Sequence, residues 1–152
     1  AAIVLQEYAQ EAIQLDRVLH MLLIHDIVEI DAGDTFAFAD QADLDAQHEK
    51  ELCAAKRIFG LLPQNQAEAF LQLWLEFEEA TTTDAKDAKA IDRILPLIQN
   101  MQNQGGSWAQ HHVTCKQVLA RNIYLKDLAP KLWDYVREQV DIAVNQGWLK
   151  PE

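Results

Sequence analysis

Apolar residues return at helical spacing along almost the whole chain, and the stretches between these runs are short. Ile3, Val4, Leu5, Tyr8, Ala9 and Ala12 mark a first helical segment whose apolar face needs a partner. A central helix is predicted from Leu15 to Ile30, apolar on most sides, with Val18, Leu19, Leu22, Leu23 and Val28 along it. Gly33 breaks it, and Thr35 to Ala42 reads as a loop carrying Phe36 and Phe38. Ala42 to Phe59 is an acidic amphipathic helix that turns Leu44, Ala54, Ala55, Ile58 and Phe59 inward, and Gly60 ends it. Pro63 suits the start of the next helix. That helix carries Ala67, Phe70, Leu71, Trp74, Leu75 and Phe77 on toward Thr81-Thr82-Thr83.

Thr82 or Thr83 is placed to cap a further helix, with Asp84 well sited in its first turn. Ala88, Ile91, Asp92, Leu95, Ile98 and Met101 continue it, and Pro96 predicts a bend or a local fray. Gln99 to Gly106 is amide-rich and reads as a loop or a frayed end, and Val113 to Ala120 as a short helix. Asp127 reads as the cap of a last helix in which Leu132, Val136, Val140 and Val144 recur before Gly147. No internal repeat and no Gly-, Ser- or Pro-rich linker divides the chain. The expected fold is therefore all-α, a single bundle of about six or seven helices over residues 1–152.

Composition agrees with that pattern: 49% of the 152 residues are apolar, enough for one real core, and only five glycines and four prolines interrupt them. A net charge of −11 suits a nucleic-acid backbone poorly, so nucleic acid is not expected as a partner. An acidic protein still binds a small phosphate ester when a metal ion inverts the local field. Asp16 and Arg17 break the first apolar run and Asp26 and Glu29 the second, so no membrane span is predicted. Cys53 and Cys115 form no CxxC pair and read as inert thiols of a reducing compartment, which points to the cytoplasm. Neither a glycine-rich phosphate loop nor a dinucleotide fingerprint is present.

The chemistry gathers at the end of the central apolar run, in Ile24-His25-Asp26-Ile27-Val28-Glu29-Ile30-Asp31-Ala32-Gly33-Asp34. Charge in apolar company is costly unless it is paired or binds a metal. His25 and Asp26 are neighbours, about 100° apart on an α-helix, and share an ion only when it sits over the edge between them. Glu29 lies on that edge and is placed to act as a general base, while Asp34, after the turn at Gly33, can fold back over the site. One helix cannot surround an ion, and Asp92, beside Ile91 on a later helix, is the best further carboxylate. An imidazole with two carboxylates suits Mn, Co, Fe, Ni, Zn or Mg. A bound divalent ion of this kind acidifies water and polarises a phosphoryl oxygen. Of the other histidines, His20 reads as a packing or surface residue, and His48, His111 and His112 as solvated. Lys86, Lys89 and Arg93 are expected in ordinary salt bridges, Glu76, Glu78 and Glu79 as solvated or paired, and Trp74 and Phe77 in the core.

These residues resemble the HD-domain superfamily of metal-dependent phosphohydrolases, close to its subgroup of bacterial 5'-deoxynucleotidases. The resemblance rests on Leu22 to Thr35, Trp74-Leu75-Glu76-Phe77-Glu78-Glu79, Ala90-Ile91-Asp92-Arg93-Ile94-Leu95-Pro96 and Gly105-Gly106-Ser107-Trp108. It implies His25, Asp26 and Asp92 as metal ligands, Glu29 in water activation, and Asp34 near the substrate sugar or the water network. It also implies a homodimer and a small phosphorylated metabolite, a nucleoside 5'-monophosphate, as substrate. The family's further ligand is a histidine in a Glu-His-Ser-Trp-like motif, and Ala1 to Tyr8 resembles the portion just after that motif. Either an upstream segment supplies it, or the protein has lost activity or recruits a ligand from another subunit. A silent helical scaffold, or hydrolysis of (p)ppGpp or a cyclic nucleotide, are the alternatives within the superfamily.

Overall fold

The structure is a computed structural model that describes residues 1–34 and 41–152, the side chains of 41–45 excepted. The predicted loop with Phe36 and Phe38, and the inward placement of Leu44, lie outside the described residues. The α-helices are α1 Ala2–Leu5, α2 Leu15–Ile24, α3 Glu29–Ala32, α4 Gln41–Phe59, α5 Gln64–Glu79, α6 Thr83–Gln102, α7 Gly106–His111, α8 Cys115–Asn122, α9 Leu125–Leu128 and α10 Pro130–Asn145. Short 3-10 turns cover Gln6–Tyr8 and His25–Val28. Among the described residues the β-structure is a single bridge between Thr114 and Lys150, so the fold is all-α as expected. The backbone divides into two compact units, Asp16–Ala88 and Ala1–Leu15 with Lys89–Glu152.

In the unit Asp16–Ala88, α3 packs on α4 and α4 on α5. Ile24, Val28, Ala54, Ala55, Phe59 and Trp74 form its buried cluster, in which Ala54, Ala55 and Phe59 of α4 and Trp74 of α5 are positions that the helical spacing predicts. Pro63 precedes α5 as its N-cap, and the Thr82 hydroxyl accepts from the Ala85 backbone N–H at 3.2 Å, so the predicted threonine cap is in place. Gly33 closes α3 at φ +74, a conformation glycine adopts without steric cost. Arg17 of α2 donates to Glu76 of α5 at 2.5 Å and to Asp84 of α6 at 3.3 Å, which ties three helices together.

In the other unit, α8 and α9 pack on α10, around Val118, Leu125, Val136 and Val140. Asn100 closes α6: its Oδ1 accepts from the Ser107 backbone N–H at 2.8 Å, and its Nδ2 donates to the Pro96 carbonyl at 2.9 Å. A Cβ on Gly106, at φ +40, would meet Asn100 Oδ1 at 2.5 Å, so only glycine lets that cap approach. Thr114 and Gln117 form a capping box for α8.

Several expectations change, among them the loop or frayed end read over Gln99 to Gly106, where α6 runs on to Gln102 and α7 begins at Gly106. The first segment is helical only to Tyr8, and Ile3 and Val4 are 65% and 67% exposed. The central helix is not continuous, because a 3-10 turn takes over at His25. α6 is helical without a break through Pro96 as far as Gln102. The last helix starts at Pro130, with Ala129 as its N-cap, because proline's fixed φ and missing N–H suit the first helical position; Asp127 lies inside α9 instead.

Candidate metal centre

The 3-10 turn at His25–Val28 changes the geometry of the doublet. At three residues per turn, side chains at i and i+3 eclipse each other. Asp26 and Glu29 therefore stand in one row, and the Glu29 backbone N–H bonds back to the Asp26 carbonyl. The His25 ring is packed against Phe77 of α5, with ring centroids 4.6 Å apart and planes tilted by 47°. His25 Nδ1 lies 2.9 Å from the Leu22 carbonyl oxygen. A carbonyl only accepts, so this hydrogen bond puts the proton on Nδ1 and leaves Nε2 with its lone pair. Nε2 faces Asp26 Oδ1 at 2.9 Å.

Neighbouring ligands of one ion bound at about 2.0–2.2 Å stand roughly 3 Å apart. The separation of Nε2 from Oδ1 matches that spacing, and the Leu22 carbonyl already orients the imidazole as a metal-bound histidine requires. The donor set fits a divalent cation.

Glu29 is half-buried, and its pKa is pushed up to about 7. Burial is the largest cause, followed by the carboxylates of Asp26, Asp34 and Glu51, with His25 pulling the other way. Asp34 is exposed beyond Gly33 and acts on Glu29 through its charge. Asp31 is engaged elsewhere, in an ion pair with Arg57 that holds its carboxyl below the usual range.

His25, Asp26, Glu29 and Asp34 thus share the unit Asp16–Ala88, whereas Asp92 stands on the part of α6 that belongs to the other unit. Among the described residues its neighbour Arg93 is not in the carboxylate salt bridge the sequence suggests. It donates from Nη1 to the Arg121 carbonyl at 3.1 Å, and its guanidinium lies 5.0 Å from the centre of the Tyr124 ring.

His20 is a surface residue, 3.7 Å from Asp16. Trp74 and Phe77 are fully buried core residues, and Glu76 is paired with Arg17. His48 is exposed as expected, yet it is not isolated. One donor atom each from His48, Glu51 and Glu78 lies within 4.8 Å of the other two. The i,i+3 spacing of His48 and Glu51 was the available sequence signal, and Glu78 on another helix was not readable with it.

At the end of α2 an imidazole and a carboxylate thus lie side by side, with further carboxylates within electrostatic reach of Glu29. The HD domain family model matches residues 1–133, and the chain belongs to this family. The 5'-deoxynucleotidase HDDC2 of Xenopus laevis is 33% identical over 87 residues, which is 57% of this chain and 43% of that protein. Its counterpart in Homo sapiens is 33% identical over 84 residues, 55% of this chain and 41% of that protein. The chain therefore matches less than half the length of these curated relatives. The crystal structure of a predicted metal-dependent phosphohydrolase from Magnetospirillum magnetotacticum MS-1 superposes with a TM-score of 0.88 at 48% identity, over 99% of this chain and 74% of that one.

Proposed function

We propose that this chain carries the metal-binding part of a phosphomonoester hydrolase that acts on nucleoside 5'-monophosphates. The observation that supports it most is the approach of His25 Nε2 to Asp26 Oδ1 at 2.9 Å, two donors at the spacing of neighbouring ligands. The relatives named 5'-deoxynucleotidase and metal-dependent phosphohydrolase supply the substrate class. His25, Asp26 and Asp92 would hold the ion. When bound, the ion acidifies a water and polarises a phosphoryl oxygen.

The residues of this chain do the rest. Leu22 and Phe77 fix the imidazole plane, so His25 presents Nε2 and no other atom. Glu29 takes the proton of the attacking water, a task for which a carboxyl tuned to about 7 is suited. Asp34, close enough to Glu29 to raise its pKa, orients the water network or a sugar hydroxyl. The ligands and Glu29 repel a phosphate dianion in a chain of net charge −11, and a divalent cation offsets that repulsion. A homodimer in the cytoplasm completes the proposal, and the two free thiols, Cys53 and Cys115, fit a reducing compartment.

The test is phosphate release from a panel of ribo- and deoxyribonucleoside 5'-monophosphates, (p)ppGpp and cyclic nucleotides by the full natural protein loaded with Mn, Co or Zn. Release from 5'-monophosphates that stops with a chelator and returns with metal is the expected result. Metal-loaded protein that releases nothing would leave a silent scaffold, and preference for (p)ppGpp or a cyclic nucleotide would move the chain to another branch of the family.

A further inference from the structure

We propose that His48, Glu51 and Glu78 form a second divalent-cation site, made of residues other than the His25–Asp26 doublet and its predicted partners. α4 sets His48 and Glu51 one turn apart on one face, and α5, packed on α4, brings in Glu78. The three donor atoms lie within 4.8 Å of one another. Ligands of one ion at about 2.0–2.2 Å are separated by about 3–4.3 Å, so side-chain adjustments of a few tenths of an ångström close the site.

The surroundings hold two of the donors in place. Gln47 is buried, and its Nε2 donates to Glu51 Oε1 at 3.1 Å and to the Gly33 carbonyl at 2.5 Å. That fixes one Glu51 oxygen and turns the carboxylate, as supporting hydrogen bonds do around metal ligands. Glu78 follows Phe77, whose ring is locked in the core, so its backbone is anchored. Two carboxylates and a neutral imidazole sum to a charge of −2 and neutralise a divalent ion. Mixed nitrogen and oxygen donors favour Zn, Co, Ni or Mn over Ca or copper(I). His48 is exposed, so the ion enters from solvent and keeps positions for water or an anionic ligand.

Zinc titrated into metal-free full natural protein, followed by calorimetry and by NMR of the histidine side chains, tests this. In the native protein the His48 imidazole signals are expected to move at stoichiometric zinc. His48→Ala, and separately Glu51→Gln with Glu78→Gln, should lose one binding equivalent or weaken it more than about tenfold. His25→Ala with Asp26→Asn should retain that equivalent, which separates this site from the doublet. Thermal melts check that each variant folds, and the NMR arm on the native protein decides the matter if a variant does not. Unmoved His48 signals, or His48→Ala binding zinc with native number and affinity, overturn the site. Failure of the hydrolase reading appears separately, as absent phosphate release from a protein whose His48 still responds to zinc.

Discussion

Glu29 and Asp26 stand in one row of a 3-10 turn, yet their proposed tasks separate cleanly under mutation. Glu29→Gln keeps the shape and removes the proton acceptor. We expect kcat to fall by about 10²- to 10⁴-fold with bound metal unchanged by elemental analysis. Asp26→Asn instead should strip the metal itself. Equal metal loss in both variants would make Glu29 a ligand. A different carboxyl governs stability. Asp87 is buried, its Oδ2 has no hydrogen-bond partner among the described residues, and its pKa rises from 3.8 to about 6. Burial is the main cause, and neighbouring Asp84 adds to it. With the folded pKa above the unfolded one, the group's contribution is fully present below the unfolded value of 3.8 and is lost as pH rises through about 6. Asp87→Asn should remove that dependence and stabilise the protein at neutral pH by about 2 kcal/mol. Urea melts across this interval check it, and an unchanged slope would refute it.

At the scale of elements, the unit Asp16–Ala88 is pinned by one arginine and one aromatic ring. Arg17→Ala removes the Arg17–Asp84 ion pair at a carboxylate with only 10% of its side chain exposed, beside Asp87. Breaking a buried pair costs about 3–5 kcal/mol, but Arg17 is itself 39% exposed and partly screened. A loss of about 1–3 kcal/mol follows, seen as a Tm lower by roughly 3–8 °C in calorimetry. Phe77→Ala should cost about 3 kcal/mol as a core cavity and also free the His25 ring, so metal affinity should fall with stability. Phe77→Leu keeps most of the volume, so affinity loss there with little loss of stability isolates the ring contact. Helix starts set by local chemistry were legible: the Thr82 hydroxyl and Pro63 act where the sequence places them. Asp127 misled because a cap is chosen by competition, and Pro130 is the stronger signal three residues on. The 3-10 turn was invisible, since an apolar run through Ile30 satisfies both helix types.

For the molecule as a whole, the expected signature is linkage between metal and folding. Metal at about a hundredfold over its Kd should raise stability by about 2.7 kcal/mol, and chelation should return it, both read by thermal melts. No helix among the described residues is long and apolar enough to cross a membrane, as the interruptions at Asp16, Arg17, Asp26 and Glu29 led one to expect.

The amino-acid sequence by itself determined the all-helical class, because helical periodicity is a property of nearby residues, and it determined the His25–Asp26 doublet, because two chain neighbours cannot be far apart. It also pointed to the family, through motifs whose order and spacing survive in one dimension. Only the tertiary structure decided that Phe77 lies on the imidazole, that Arg17 reaches Glu76 and Asp84, and that Glu78 meets His48 and Glu51. Periodicity says which face of a helix turns inward but not which helix it meets. Burial then sets the proton affinities of Glu29 and Asp87, and burial exists only once those faces have met.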